Sequence, residues 1–314
     1  RHRQVAEAYL RGLEQLVASG GDPSRVHSVA SFFVSRVDSE ADRRLAEAGD
    51  GYVSIEVDPN LADDSEATIA QATHFHDAIA RANLLVKIPA TDAGVPAIEE
   101  MTARGYSINV TLIFSLTRHR QVAAAYLAGL ERLIAAGGDP RHVHSVASFF
   151  VSRVDTETDR RLDEVGRREL KARLGIANAK LAYQQYKQLF EGARWERLAK
   201  RGATTQRCLW ASTSTKDPTL RDTLYVEELI GPQTISTMPE ETIRAFQDHG
   251  RVEASLEADL DEAHRVFNQL YAAGIDYDDV VSTLEREGIE KFVTSFDQLL
   301  DQIRAKRGTV SAAA

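Results

Sequence analysis

LLVKIPAT, residues 84–91, sets Leu84, Val86 and Ile88 on one side of an extended chain and Lys87 on the other. Two further stretches repeat the pattern. In VSIEVDP (53–59), Val53, Ile55 and Val57 oppose Ser54, Glu56 and Asp58. In SINVTLIF (107–114), Ile108, Val110 and Leu112 oppose Asn109 and Thr111. A flat parallel sheet covered by helices on both faces favours unbroken apolar runs. Strands that are apolar toward one layer and polar toward the other fit a barrel: the apolar side meets the helices and the polar side points inward, where catalytic groups gather near the strands' C-terminal ends.

The surrounding pattern agrees. Helices are expected near 65–82 and 93–104, between and after these strands. Further strands are expected near 143–151, 207–213 and 233–237, with one long helix over 159–190. Four helices near 239–248, 259–273, 276–286 and 289–305 fill the C-terminal third. Alternation of this kind implies parallel pairing through strand–helix–strand units. No GxGxxG follows a strand and no GxxxxGK[ST] occurs, which disfavours a dinucleotide-binding sheet or a P-loop.

Composition narrows the function. The 314 residues are 43% hydrophobic and 27% charged, as in an ordinary globular protein. No apolar run reaches the roughly 20 residues of a membrane-spanning helix, and the first residues lack a signal peptide's apolar stretch. A net charge of -9 argues against a general nucleic-acid or anionic-membrane binder. The single cysteine, Cys208, excludes an internal disulfide and a thiolate metal cluster. A cytoplasmic location is expected. The pairs His74/His76 and His142/His144 have no carboxylate trio at metal spacing, so no metal is expected.

One segment occurs twice. Arg1–Gly49 and Arg118–Gly166 align without a gap, with roughly four positions in five identical. Each copy reads as a helix (3–19 in the first), a Gly-Gly-Asp-Pro turn, a strand (26–34 in the first) and a polar helix start. Residues 1–49 are thus a duplicated helix–strand–helix segment, and with no linker in sight residues 50–314 read as a single domain.

Only eight of the 38 basic residues are lysine, and Lys87 is the sole lysine between Arg1 and Leu170. An isolated lysine amid apolar strand residues invites a chemical reading. Lysine forms an imine with a carbonyl and arginine does not. Desolvation disfavours the ammonium and leaves a nucleophile, and the iminium is then an electron sink for breaking or making a carbon–carbon bond. Glu56, on the preceding strand, is the candidate proton shuttle. A strand-end lysine facing solvent, or a core lysine simply paired with Glu56, fits the same pattern.

Several ordered motifs resemble the transaldolase family, most of all its actinobacterial branch: VSIEVDP, NLLVKIPATDAG (83–94), SINVTLIFSL (107–116), VASFFVSRVD (146–155), LWASTSTKDP (209–218), DTLYVEELIGPQTISTMP (222–239) and GIDYDDVVSTLEREGIEKF (274–292). The resemblance runs from about residue 50 to the end. It implies an α/β fold, a (β/α)8 TIM-type barrel of the class I aldolase kind. It also implies a transferase of the pentose phosphate pathway that moves a dihydroxyacetone unit from sedoheptulose 7-phosphate to glyceraldehyde 3-phosphate. Sugar phosphates are the implied partners, and no cofactor is implied. By the same resemblance Lys87 forms the Schiff base, and Glu56 and Thr111 hold the catalytic water. Asn109 and Ser148 contact substrate hydroxyls, and Arg153 and Ser212 hold phosphate. Lys216 stands near a phosphate position, though its local spacing differs from the better-known branch. A Schiff-base aldolase acting on fructose 6-phosphate is the alternative from the same chemistry; a sugar-phosphate-binding protein without turnover is the alternative from another class.

The resemblance stops before residue 50. The family opens with two strands, one bearing an acid/base aspartate and one a Thr-Thr-Asn-Pro motif, and neither is found in residues 1–49. Their place is taken by a copy of a later segment whose strand carries Ser31 and Arg36 instead. Six strands follow residue 50 and the copy adds a seventh, against the eight of a closed barrel. The barrel is therefore expected to be incomplete or distorted at its N-terminal strands, and turnover impaired by loss of the aspartate.

Overall fold

A computed structural model describes residues 51–313. The helix and strand expected between 3 and 34, with Ser31 and Arg36, lie outside the described residues. Six parallel strands form one sheet in chain order: β1 (Val53–Glu56), β2 (Leu84–Pro89), β3 (Ile108–Ile113), β4 (Ser145–Phe150), β5 (Gln206–Ala211) and β6 (Thr234–Ser236). The helices are α1 (Ser65–Ile79), α2 (Gly94–Ala103), α3 (Leu116–Ala135), α4 (Ser152–Glu164), α5 (Leu174–Leu189), α6 (Gly192–Ala199), α7 (Leu224–Glu227), α8 (Glu240–His249), α9 (Leu260–Ala272) and α10 (Tyr277–Ala313). The strand–helix alternation is that of a parallel α/β barrel with six strands described, and β1 and β6 are the sheet's edges among the described residues. The sheet curls enough that residues of β1, β2, β3, β4 and β5 line one inner cavity.

Local chemistry sets the element ends. The Asp64 carboxylate accepts a hydrogen bond from the Ala67 N–H and caps α1; the Ser115 hydroxyl does the same for α3 through the Arg118 N–H. The alternation in the strands sorts two cores. Val86, Ile88, Ile108, Val110, Ala147, Phe149, Cys208 and Trp210 are buried between the sheet and the outer helices. Leu85, Val146 and Leu209 from the inner face join a second cluster with residues of α4, α5, α9 and α10.

Three expectations need correction. Leu112 does not share the outer face with Ile108 and Val110. It takes a left-handed conformation (φ 58°), and the pairing of β3 with β4 slips between Val110 and Ile113. This is a β-bulge. It sends Leu112 into the inner cluster and returns Ile113 to the outer one. The long helix expected over 159–190 is two helices, α4 and α5. Gly166 (φ 71°) ends the first and Ala172 (φ 57°) stands before the second. Conversely, the separate helices expected at 276–286 and 289–305 are one, α10. Gly288 stays helical within it, where a Cβ would come 3.1 Å from Leu112 Cδ2, so the missing side chain permits close approach to the bulge.

Candidate active site

The pairing register sets Glu56 beside Lys87, and Lys87 beside Asn109. The three form one row across β1, β2 and β3. All three line a cavity of about 480 Å³ together with Ser54, Leu85, Val146 and Leu209. Lys87 is the one polar residue of β2, and its strand neighbours are all buried, as the alternation requires. Its Nζ donates to Glu56 Oε2 at 3.5 Å. Burial pushes the Glu56 carboxyl above the usual carboxylate range, and the charge and hydrogen bond of Lys87 pull it part of the way back.

A chain of hydrogen bonds fixes the polar side of this row. The Ser148 hydroxyl donates to Asn109 Oδ1 at 2.7 Å, and Asn109 Nδ2 donates to the Ser54 hydroxyl at 3.0 Å. Both Asn109 and Ser148 are buried, so the amide is held in one orientation. Thr111, one step further along β3 and paired with Pro89, is fully buried. Its hydroxyl has no hydrogen-bond partner among the described residues, a group that a buried site ordinarily satisfies.

A second group lies where β4 and β5 run into their loops. Ser152 N–H donates to the Ser212 carbonyl at 2.9 Å and the two hydroxyls are 2.9 Å apart, which places Ser212 against the first turn of α4. Ser212 itself is left-handed, at φ 56°. Arg153 follows in that turn. Its guanidinium Cζ is 4.9 Å from the centroid of the Phe150 ring, and its Nη1 is buried without a partner among the described residues. Burial draws Arg153 below the usual arginine range. Lys216 stands apart: it is exposed in the loop after β5 and makes no ion pair among the described residues.

The structure thus brings Lys87, Glu56, Asn109 and Ser148 into one connected set, with Thr111 on the same strand. Arg153 and Ser212 form a neighbouring set, and Lys216 joins neither. Two participants were not singled out from the sequence. Ser54 faces the cavity and anchors Asn109; its place opposite Val53 and Ile55 was the available signal. Phe292 of α10 lies with its ring centroid 5.4 Å from Lys87 Nζ; it closes the 274–292 motif, which carried no role for it.

Polar and ionisable groups meet on the inner face of a parallel α/β sheet, the place where barrel enzymes carry their chemistry. The family that accounts for this arrangement is one of sugar-phosphate enzymes acting through such a barrel. The chain belongs to the transaldolase/fructose-6-phosphate aldolase family, whose model matches residues 43–303. It is 52% identical over 263 residues to the transaldolase of Frankia alni, covering 82% of this chain and 71% of the relative. It is 52% identical over 269 residues to that of Acidothermus cellulolyticus, covering 82% and 72%, and 51% identical over 267 residues to that of Mycobacterium bovis, covering 83% and 72%. No helix among the described residues is long and apolar enough to cross a membrane.

Proposed function

We propose that the chain is a transaldolase working through a Lys87 imine. It takes a dihydroxyacetone unit from sedoheptulose 7-phosphate and gives it to glyceraldehyde 3-phosphate. The observation that carries this reading is the pair itself: the lone lysine of an otherwise buried strand lines the inner cavity, 3.5 Å from a carboxylate held above its ordinary pKa. Lys87 Nζ adds to the ketose carbonyl carbon and water leaves, giving an iminium. The bond between the third and fourth carbons breaks as the fourth carbon's hydroxyl passes its proton to water. The aldose phosphate departs and the electron pair comes to rest in an enamine. The enamine carbon then adds to the acceptor's carbonyl, whose oxygen takes a proton, and water releases the product and the free amine. Glu56 is the one carboxylate lining the cavity among the described residues. In this reading it moves the protons of imine formation and hydrolysis, with Thr111 holding the water beside it. Asn109 and Ser148 hold substrate hydroxyls, while Arg153 and Ser212 take the phosphate. Residues 50–314 act as one domain.

The test is reduction with borohydride in the presence of fructose 6-phosphate, followed by mass spectrometry of the 314-residue chain. A stable adduct on Lys87, absent from Lys87→Met, is expected. Folded wild-type protein without an adduct refutes the imine. Adding an aldose phosphate acceptor separates transfer from the related aldolase activity, which releases free dihydroxyacetone.

A further inference from the structure

Phe292 lies close to two cations of the site, Lys87 and Arg153. Its ring centroid is 5.4 Å from Lys87 Nζ and 6.0 Å from Arg153 Cζ, both within cation–π reach. Phe150 holds the other side of the guanidinium at 4.9 Å. No ion pair neutralises Arg153 among the described residues, so two aromatic rings hold a charge whose Nη1 lacks a partner. Carboxylates would fix the guanidinium and cancel its charge; rings fix it and leave the charge available to an anion.

The helix that carries this ring is firmly placed. Val280, Val281 and Leu284 of α10 are buried in the inner cluster. The Tyr277 hydroxyl accepts from the Leu116 N–H at 3.1 Å and donates to Asn178 Oδ1 at 2.8 Å. Gly288 lies against Leu112 and Phe114, and Phe292 is one turn further on the same face. There it lines a second cavity of about 470 Å³ with Val57, Pro59, Arg153 and Phe296. Glu56 borders this cavity and the inner one alike. Glu56 is thus shared by the cavity that Arg153 and Phe292 line and the one that Lys87 lines.

We propose that Phe292 is a positioning residue that holds the Lys87 amine and the Arg153 guanidinium in one arrangement, and so sets the span between the carbonyl and phosphate ends of the sugar phosphates the site accepts. The proposal rests on the Lys87 imine reading. Its test is therefore run after wild-type protein has been shown to form the borohydride-trapped adduct; failure at that first step removes the imine reading, not the role of the ring. Adduct formation is then followed against fructose 6-phosphate concentration for Phe292→Leu and Phe292→Met, which keep apolar bulk, and for Phe292→Tyr and Phe292→Trp, which keep an aromatic face. Circular dichroism confirms that each is folded. Loss of the ring is expected to raise the half-saturating concentration about 3- to 10-fold, the range for removing a partly desolvated cation–π contact. The aromatic variants are expected to stay within about twofold of wild type, a rescue that loss of helix packing alone would not give. Half-saturation unchanged in folded Phe292→Leu and Phe292→Met overturns the proposal. So does a folded Phe292→Trp and Phe292→Tyr pair as impaired as Phe292→Leu.

Discussion

Asp155 offers the sharpest test of the packing beneath the site. It lies in α4, two residues after Arg153, and is 2% exposed. Its carboxylate accepts from the Gly175 N–H at 2.7 Å and from the Tyr225 hydroxyl at 2.9 Å, joining α4, α5 and α7. Burial, helped by the neighbouring Asp159 carboxylate, lifts its pKa from 3.8 to about 7 despite those hydrogen bonds. The sign follows from proton linkage. Between these values the folded state holds a proton that the unfolded state has lost, so stability falls as pH rises. The slope approaches roughly 1.4 kcal/mol per pH unit, and the whole loss between pH 4 and 8 is at most about 4 kcal/mol. Asp155→Asn keeps the shape, one acceptor oxygen and neutrality at every pH. Urea denaturation of both proteins at pH 4.5, 6, 7 and 8 isolates the effect, because the other titrating groups cancel in the difference. The variant is expected to gain steadily on wild type up to pH 7 and then level off. A difference that stays flat within about 1 kcal/mol over that range refutes the reasoning, since the carboxyl would then titrate alike in both states.

Other substitutions probe other links. Glu56→Gln should still allow trapping of the Lys87 imine but lower turnover about 10²-fold or more, as loss of a positioned acid–base group does; unchanged steady-state transfer would rule out its proton role. A Cβ at Gly129 would lie 2.5 Å from Thr102 Cβ and 2.6 Å from the Glu99 carbonyl oxygen, so Gly129→Ala should force α2 and α3 apart. A cost of about 1–3 kcal/mol and a lower Tm are expected by thermal unfolding, against the small gain of an unobstructed helical site. Tyr277→Phe leaves the Leu116 N–H and Asn178 Oδ1 without their common partner and should destabilise by about 1–3 kcal/mol in urea denaturation.

The strands were legible because their burial is two-sided and unequal. Val86 and Ile88 had to meet helices, which left Lys87 to the inner face; the same logic placed Glu56 and Asn109 beside it. The alternation failed at Leu112, where a bulge inserts a residue that no local residue type announces. Helix limits failed where a backbone turn decided them: Gly166 and Ala172 break a continuous polar stretch, whereas Gly288 breaks nothing because it faces a neighbour that needs the space. Within the site, residues on adjacent strands could be paired by register alone. The nearness of Ser212 to Arg153 depends on how two loops fold over the sheet, and that of Phe292 to Lys87 on where a distant helix docks. Those contacts are tertiary, and a single sequence carries no periodic trace of them. Lys216, read by its place in a motif, lies in an exposed loop apart from both groups.

The bulge divides β3 between two tasks. Before it, Asn109 turns its amide into the cavity; at and after it, Leu112 and Phe114 offer an apolar seat on which Gly288 rests. A regular strand would have kept Leu112 on the helix side and given the final helix nothing to settle against. One left-handed residue thus works as a hinge pin in the strand's own wiring: the floor of the chamber and the footing of its roof are cast in a single piece, and neither can be re-registered without moving the other.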